Sequence, residues 1–360
     1  MQRSIVPLSE VPRARVEDYL RASTGYFRAR DSAAIGWKYY DAAFNRGRER
    51  GFAWVKDGRV RGFIGIVPGL VARGSEVAAL HWTCDWGLED PKATPGIGIL
   101  LLRRVIATGE HTVTMGGNAN TRALVPRLAA RSFEGAGLHL WRPLRTAALL
   151  HLAASRAPVL GRLAPTLLGK LPLPWFAGRA SRHVRVRVTG GVAASLDALF
   201  EAQRPAAWTA RYDVPHLQWA LERCPGIVSG SCYVAGDRGP AAGAVLWYSE
   251  APAVRHVRFA LWTTPGADDA AEQVVGEVIR CARSRGGALI SALVGRWDTA
   301  ELGVLRRAGF FPRAGPLPLY VFAPAGADVD GRLDAGLGAG LGGINYLATD
   351  LAQRFRGTSG

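Results

Sequence analysis

The chain has 360 residues, of which 48% are hydrophobic and 21% are charged. This length and balance suit two globular domains of ordinary size and exclude a chain that is disordered throughout. The formal net charge is +16, and arginine carries nearly all of it because the only lysines are Lys38, Lys56, Lys92 and Lys170. Such a charge either follows from an arginine-rich composition or favours anionic partners, such as phosphate-bearing cofactors, nucleotide-sugars, tRNA or an anionic membrane surface.

The cysteines and the hydrophobic runs indicate which classes of protein the chain does not belong to. None of Cys84, Cys224, Cys232 and Cys281 forms a Cys-x-x-Cys pair, so we predict neither a disulfide framework nor a metal site. The first residues lack the apolar core of a secretory signal, and no apolar run reaches the roughly 18 residues that a membrane-spanning helix needs. We therefore expect a cytoplasmic protein.

The first elements along the chain are an aromatic helix and a hairpin. The helix carries Trp37, Tyr39 and Tyr40, and the hairpin turns at Asp57-Gly58, a strong turn dipeptide between two alternating strands. Aromatic faces stack on sugars and nucleobases. We therefore predict that Trp37, Tyr39 and Tyr40 contact the substrate; the alternative is that they pack in the core.

The most informative segment runs from His81 to Val105. A strand over His81–Leu88 leads through a turn into an apolar helix, and Gly96 and Gly98 lie where that helix would begin. The first backbone N–H groups of a helix have no partner within it, and the helix dipole places partial positive charge there. The segment therefore predicts main-chain binding of a diphosphate, with a plain tight turn as the alternative.

The order of these motifs resembles the GNAT acyltransferase superfamily over roughly Leu8 to Leu144. The family's cofactor loop, Arg/Gln-x-x-Gly-x-Gly/Ala, falls on Ala93 to Gly98, with Ala93 in place of the Arg or Gln. The stretch from Asn118 to Phe133 is similar to the fourth-helix pattern, with Leu128 where the family has a tyrosine acid. The resemblance implies an acyl-CoA cofactor, acetyl-CoA or another, bound by Leu88, Lys92, Gly96, Ile97, Gly98, Ile99 and Asn120.

The strand before the loop carries the candidate catalytic residues. Alternation places His81, Thr83 and Asp85 on one face. Acylation of an amine needs a group that removes its proton and a donor that stabilises the carbonyl oxygen. We predict Asp85 as the proton acceptor or amine anchor and His81 as a proton relay. The alternatives are a structural carboxylate and a buried histidine.

A second copy of the pattern follows in the same order. His81-Trp82-Thr83 reappears as Leu261-Trp262-Thr263, but Pro265 replaces Asp85 and the second loop carries Asp268 and Asp269. Two carboxylates there repel an anion. We predict an α/β fold of two tandem GNAT-like domains, each a mixed, mostly antiparallel sheet flanked by helices, with a degenerate second copy. The predicted boundaries are 1–145 for the first domain, 146–184 for a connector, 185–324 for the second domain and 325–360 for a Gly/Ala-rich tail.

The connector, residues 146–184, combines leucines at helical spacing with prolines and basic residues. We predict a helical hairpin that packs between the domains. The alternative is a basic amphipathic surface that rests on a membrane, which would place the protein at the periphery of the inner membrane.

These patterns predict an acyl-CoA-dependent N-acyltransferase. The expected reaction is acetyl transfer to a small-molecule amine, such as an amino sugar in polysaccharide biosynthesis, by analogy with tandem GNAT proteins of that type. One alternative is a Fem-type peptidyl transferase that uses aminoacyl-tRNA, the only hypothesis with a nucleic acid partner. The other is a non-catalytic binding protein of the same fold, favoured by Ala93 and Leu128. The acceptor, the acyl length and the oligomeric state stay open.

Overall fold

A computed structural model gives the fold and describes most of the chain. The described residues are 3–22, 32–41, 47–115, 117, 119–129, 131–146, 186–203, 209–225, 227–236, 239–249, 256–295, 299–312 and 317–322. The predicted tail and nearly all of the predicted connector lie outside these residues. Within them, no helix has the length and hydropathy needed to cross a membrane.

The described chain alternates strands and helices. The strands are β1 (Arg3–Pro7), β2 (Gly51–Lys56), β3 (Arg59–Arg73), β4 (Glu76–Leu88), β5 (His111–Met115), β6 (Arg131–Pro143), β7 (Val186–Gly190), β8 (Thr209–Arg211), β9 (Ile227–Gly236), β10 (Gly239–Ser249), β11 (His256–Thr263), β12 (Leu289–Gly295), β13 (Phe311–Pro312) and β14 (Leu317–Phe322). The helices are α1 (Arg13–Ala22), α2 (Ser32–Tyr40), α3 (Ile97–Ile106), α4 (Ala119–Leu124), α5 (Leu196–Ala202), α6 (Val214–Leu217), α7 (Asp268–Ser284) and α8 (Thr299–Arg307).

The chain divides into two compact units, and neither is a continuous stretch. The first unit comprises Met1–Ala136, Pro205–Pro225 and Leu317–Gly360, and the second comprises Gly137–Arg204 and Gly226–Pro316. The compact units therefore differ from the continuous ranges 1–145 and 185–324. Those ranges stay a prediction about the sequence repeat.

In the first unit, β1 to β4 form an antiparallel series, and β5 lies parallel to β4. Helix α3 makes the crossover between β4 and β5, as a parallel connection requires. The far side of β5 pairs with β14, which comes from the end of the described chain. Strand β8 pairs with β3 over three residues.

The second unit repeats this order of strands. The strands β7, β9, β10 and β11 are antiparallel, and β12 lies parallel to β11 after the crossover helix α7. The far side of β12 pairs with Gly137–Pro143 of β6. The predicted fold class is confirmed, because the structure is α/β with mixed, mostly antiparallel strands flanked by helices.

Helical periodicity places the crossover helices on the sheets. In α3, Leu101, Leu102 and Val105 are fully buried against aromatic and aliphatic residues of β2 and β3. In α7, Val274, Val275 and Val278 are buried among the residues of the second unit's core. This spacing of three and four residues keeps one face of each helix apolar.

The hairpin between β2 and β3 turns where the sequence predicts it. Asp57 and Gly58 have φ angles of 51° and 74°, and two consecutive positive values are typical of a type I′ turn. Strand β4 begins at Glu76, five residues before the predicted start at His81, and ends at Leu88 as predicted.

Candidate active site

Strand β4 contains a β-bulge close to its carboxyl end. Phe63 of β3 pairs with Gly87 but Gly65 pairs with Cys84, so β4 has one more residue than β3 between these pairs. Asp85 lies within the bulge and has a φ angle of 48°. Aspartate tolerates this left-handed conformation better than most residues. The bulge interrupts the regular alternation predicted for the strand.

Past Trp82, β4 separates from its parallel neighbour β5. The pairing of the two strands covers only Leu80, His81 and Trp82, although β4 continues to Leu88. Glu89 donates its backbone N–H to the carbonyl of Arg61 on β3, at 2.9 Å. Because alternate residues direct their backbone groups to opposite sides, those of Leu88 face away from β3. No described strand pairs with this last part of β4 on that side.

The loop between β4 and α3 ends in a left-handed glycine. Asp90 organises the loop by accepting hydrogen bonds from the backbone N–H groups of Lys92 and Ala93, each at 3.0 Å. Gly96 precedes α3 with a φ angle of 85°. No hydrogen bond described for this part of the chain uses the N–H of Gly98 or Ile99. These two donors therefore remain available to an anion.

A cavity of about 680 Å³ borders both the open edge of β4 and the start of α3. All of its lining residues belong to the first unit. They include Arg15, Asp18 and Tyr19 of α1, Arg59 beside the β2–β3 turn, Trp86, Gly87 and Leu88 of β4, Gly96, Gly98 and Ile99 at α3, and Asn120 and Thr121 of α4. Its size falls in the range of small-molecule sites, roughly 300–1,000 Å³.

The predicted cofactor residues divide into two groups. Leu88, Gly96, Gly98, Ile99 and Asn120 line the cavity. Ile97 packs instead against the apolar core beneath α3, and Lys92 is exposed on the loop. The assignment of all seven to cofactor binding stays a prediction.

Asp85 is buried in a polar cluster rather than exposed to the cavity. Its side chain is 8% exposed and forms an ion pair with Lys38 of α2, which is 3% exposed. Tyr39 donates its hydroxyl to the same carboxylate oxygen. Burial by itself lowers the pKa of Lys38, but the charge of Asp85 outweighs it and the pKa is raised. Burial and the charge of Asp85 raise the pKa of Tyr39, so both hydrogen-bond donors to Asp85 keep their protons at neutral pH.

His81 lies further down β4 and has separate partners. Its ring is 2% exposed, with Nε2 3.0 Å from Oε2 of Glu110 and Nδ1 3.1 Å from the hydroxyl of Thr108. Arg48 also pairs with Glu110, at 3.1 Å. No described contact joins His81 to Asp85. The roles of proton acceptor and relay stay predictions, and the burial of both residues favours the structural alternatives.

The aromatic residues predicted to contact substrate lie outside the described lining of the cavity. Trp37 stacks on Trp219 with ring centroids 4.9 Å apart, and each indole N–H donates to the other residue's carbonyl. Tyr39 packs edge-on against Phe63. The hydroxyl of Tyr40 is buried. Their placement favours core packing, which the sequence left as the alternative.

Two side chains that the sequence did not single out form part of the cavity wall. Tyr19 lines the cavity and donates its hydroxyl to the carbonyl of Gly87, at 3.0 Å. Burial and the charge of Glu89 raise the pKa of this hydroxyl. Trp86 lines the cavity next to the bulge. The glycine loop indicates the site in the sequence. No local pattern in α1 predicts that Tyr19 contacts Gly87, which lies 68 residues later.

Cys84 sits beside the polar cluster as a free thiol. Burial raises its pKa, and its sulfur lies 3.7 Å from the hydroxyl of Tyr39. Because the thiolate is the reactive form, a buried thiol with a raised pKa is a poor nucleophile.

No protein-family model and no curated protein matches the chain. Solved structures do match it. A GCN5-related N-acetyltransferase from Anabaena variabilis superposes with a TM-score of 0.56 at 12% identity, covering 88% of this chain and 72% of that one. Saccharomyces cerevisiae N-myristoyltransferase with bound myristoyl-CoA gives 0.56 at 12% identity, covering 94% and 89%. A conserved Enterococcus faecalis protein, described as a probable N-acyltransferase, gives 0.57 at 8% identity, covering 93% and 74%.

The chain has the GNAT fold. At such low sequence identity the likeness establishes the fold alone, because one fold hosts many activities. Within the GNAT fold of the first unit, the separated strands, the bulge and the glycine turn all occur in the segment from β4 to α3. The chemistry therefore has to be argued from this segment.

Proposed function

We propose that the first unit binds an acyl-CoA and transfers the acyl group to the nitrogen of a small-molecule amine. One observation carries the proposal. The unpaired edge of β4 and the available N–H groups of Gly98 and Ile99 border the same cavity. A linear thioester attached to a diphosphate needs these two features in one continuous space.

The chain supplies main-chain groups for each part of such a ligand. The N–H groups of Gly98 and Ile99, at the positive end of the α3 dipole, suit the diphosphate. The outward backbone groups of Leu88 suit an extended amide-bearing chain, as an added strand would pair. The backbone N–H of Trp86 lies next to the bulge and suits the carbonyl oxygen of a thioester.

When bound, acyl-CoA supplies an activated acyl thioester. The amine nitrogen attacks the carbonyl carbon, a C–N bond forms and the C–S bond breaks, and the thiol product takes up a proton while the amine loses one. The carboxylates among the lining residues are Asp18 and Glu89, and Glu89 is paired with Arg61. Either is placed to receive the amine proton more directly than the buried Asp85.

The identity of the acyl group and of the amine forms a finer proposal. Acetyl transfer to an amino sugar in polysaccharide biosynthesis rests on the sequence resemblance and remains a prediction. The yeast neighbours carry myristoyl-CoA. This supports the use of an acyl-CoA in general, but the acyl chain in those structures is longer than acetyl. The cytoplasmic location and peripheral membrane contact through 146–184 also remain predictions.

A second candidate is a binding protein that holds acyl-CoA without turnover. The burial of Asp85 and His81 favours it, because neither side chain is open to the cavity. The two candidates share the cofactor site and differ only in turnover.

Calorimetry combined with a thiol-release assay tests these candidates. We would titrate the full chain with CoA, acetyl-CoA, myristoyl-CoA and aminoacyl-tRNA, and then supply acetyl-CoA with a panel of amino sugars. An acyltransferase is expected to bind acyl-CoA in the range of about 1 μM–1 mM and to release thiol only when an amine is present. Binding without release supports the non-catalytic candidate. Binding of aminoacyl-tRNA with no heat from any CoA compound would contradict both and favour the Fem-type alternative.

A further inference from the structure

Lys38, Asp85 and Tyr39 form a buried polar cluster directly behind the bulge of β4. We propose that this cluster is a positioning device for acyl transfer: it holds Asp85 in its left-handed conformation and thereby sets where the backbone N–H of Trp86 points. The inference rests on the proposed function, because it assigns that N–H to the thioester carbonyl. None of the three side chains lines the cavity, so the cluster acts through the backbone.

The backbone of Asp85 adopts a left-handed conformation that its side-chain partners support. Its φ angle of 48° is uncommon for a residue with a side chain, and although aspartate tolerates it better than most, contacts with the surroundings help to maintain it. The carboxylate of Asp85 is bonded by both the ammonium of Lys38 and the hydroxyl of Tyr39. Two donors from adjacent residues of one helix restrict the side chain, and with it the backbone of the bulge.

Packing around α2 holds the two donors, Lys38 and Tyr39, in place. A Cβ atom on Gly65, the β3 residue opposite Cys84, would lie 2.6 Å from the hydroxyl oxygen of Tyr39 and 3.0 Å from the sulfur of Cys84. Only glycine leaves room for Tyr39 there. Arg50 donates to the backbone carbonyl of Lys38, and the Trp37–Trp219 stack fixes the preceding residue of α2.

The Lys38–Asp85 ion pair is not explained by a gain in stability. A buried ion pair gives little net stability compared with well-packed apolar side chains, since removing both charges from water offsets their attraction. We therefore infer that Lys38 and Asp85 contribute to the backbone conformation rather than to the free energy of unfolding. The nearest geometric consequence is the bulge, where Trp86 and Leu88 line the cavity.

The test compares Lys38→Met and the double variant Lys38→Met/Asp85→Asn with the wild-type chain. The double variant leaves no uncompensated buried charge, so it remains informative where the single variant fails to fold. Lys56→Met is the matched control, because Lys56 belongs to the same unit and is only half-buried at the end of β2. Tyr39→Phe removes one donor, and Tyr320→Phe, in the core of the same unit, is its control.

Three readouts are measured on each variant. We expect the Kd for CoA to stay within about threefold, because the diphosphate is held at α3. We expect kcat for acetyl transfer to fall about 100-fold with little change in the KM for acetyl-CoA, the effect of a misplaced catalytic donor. Amide hydrogen exchange is expected to rise at residues 84–88 and to stay unchanged in α3. Tyr39→Phe should show a smaller fall in kcat, and the controls should match the wild-type chain.

The outcomes separate the two proposals. If the folded double variant keeps kcat within twofold of wild type, the positioning role is wrong whatever the exchange data show. If exchange at residues 84–88 does not change, the cluster does not hold the bulge and the inference is also wrong. Absence of CoA binding by the wild-type chain overturns the proposed function instead, and the exchange experiment still decides whether the cluster controls the bulge.

Discussion

In both units a left-handed glycine precedes the crossover helix, but the strand before that glycine differs between the units. Gly96 before α3 has a φ angle of 85°, and Gly266 before α7 has a φ angle of 78°. In the first unit, the preceding strand carries a bulge at Asp85. In the second, β11 pairs with β10 from Val257 to Thr263 without a shift in register. The left-handed glycine is therefore common to both units, whereas a bulge in the strand before the crossover helix is described only in the first unit.

The charges at the two helix starts differ as well. The first turn of α3 carries no acidic residue, whereas α7 begins with Asp268 and Asp269. Carboxylates at a helix N-terminus satisfy its dipole and occupy the place of an external anion. The two crossover helices therefore share a left-handed glycine but differ in the charge of their first turn and in the strand that precedes them.

The largest expected effect comes from moving the carboxylates of the second unit into the first. Gly98→Asp/Ile99→Asp should weaken CoA binding about 100-fold or more, equivalent to about 2.7 kcal/mol, because each carboxylate repels the diphosphate. A Cβ on Gly98 would lie 3.5 Å from Trp86, an ordinary contact. The acidic residues also suit the N-terminus of α3. Calorimetry and thermal melting should therefore report lost affinity at undiminished stability.

The reciprocal change is the control for that experiment. Asp268→Asn/Asp269→Asn removes the carboxylates from α7 and should leave the affinity and the stoichiometry of CoA binding unchanged, since β11 lacks the bulge. A second equivalent of CoA bound by this variant would show that the difference between the units lies in charge alone.

A smaller effect is expected from the two left-handed glycines. Neither Gly96→Ala nor Gly266→Ala meets a steric clash, because nothing lies within 4 Å of the added Cβ. Each should lower the free energy of unfolding by about 1 kcal/mol through the positive φ angle. Urea titration measures this loss, and calorimetry should find weaker CoA binding only for Gly96→Ala. Equal effects on CoA binding would remove the functional distinction between the loops.

The smallest expected effects are pH dependences of opposite sign in the two units. In the first unit, burial opposes ionisation of Glu110, but its hydrogen bond with His81 and the charges of His81 and Arg48 outweigh burial and lower its pKa. Glu110 therefore adds stability above its unfolded pKa near 4.5, which is lost as the pH falls through the lower folded value. Unfolding of Glu110→Gln should depend less steeply on pH below about 4.5.

Glu301 in the second unit behaves in the opposite way. Burial, and to a lesser degree the charge of Asp268, raise its pKa above the usual value for a glutamate. The ionised form is therefore unfavourable in the folded state at neutral pH. Glu301→Gln should be more stable than the wild-type chain at pH 7, and the gain should vanish below about pH 4.5, where both states are protonated. A loss of stability at pH 7 would contradict this explanation.

Several features of the fold follow from local signals in the sequence. The apolar run after the loop indicated the first crossover helix, Asp57-Gly58 indicated the hairpin, and the positions of Gly96 and Gly98 indicated the helix start. These signals work because backbone preference and side-chain spacing act over a few residues. Together with the order of the motifs, they were enough to predict the fold class.

Tertiary structure alone decided which side chains meet at the candidate site. Regular alternation assigned Asp85 to an open catalytic face, but the bulge and Lys38, 47 residues earlier, place its carboxylate in a buried ion pair. Tyr19 reaches Gly87 across 68 residues, and β14 joins the first unit's sheet from the end of the described chain. Such contacts depend on strand register and on packing between distant segments, and neither leaves a trace in the neighbouring sequence.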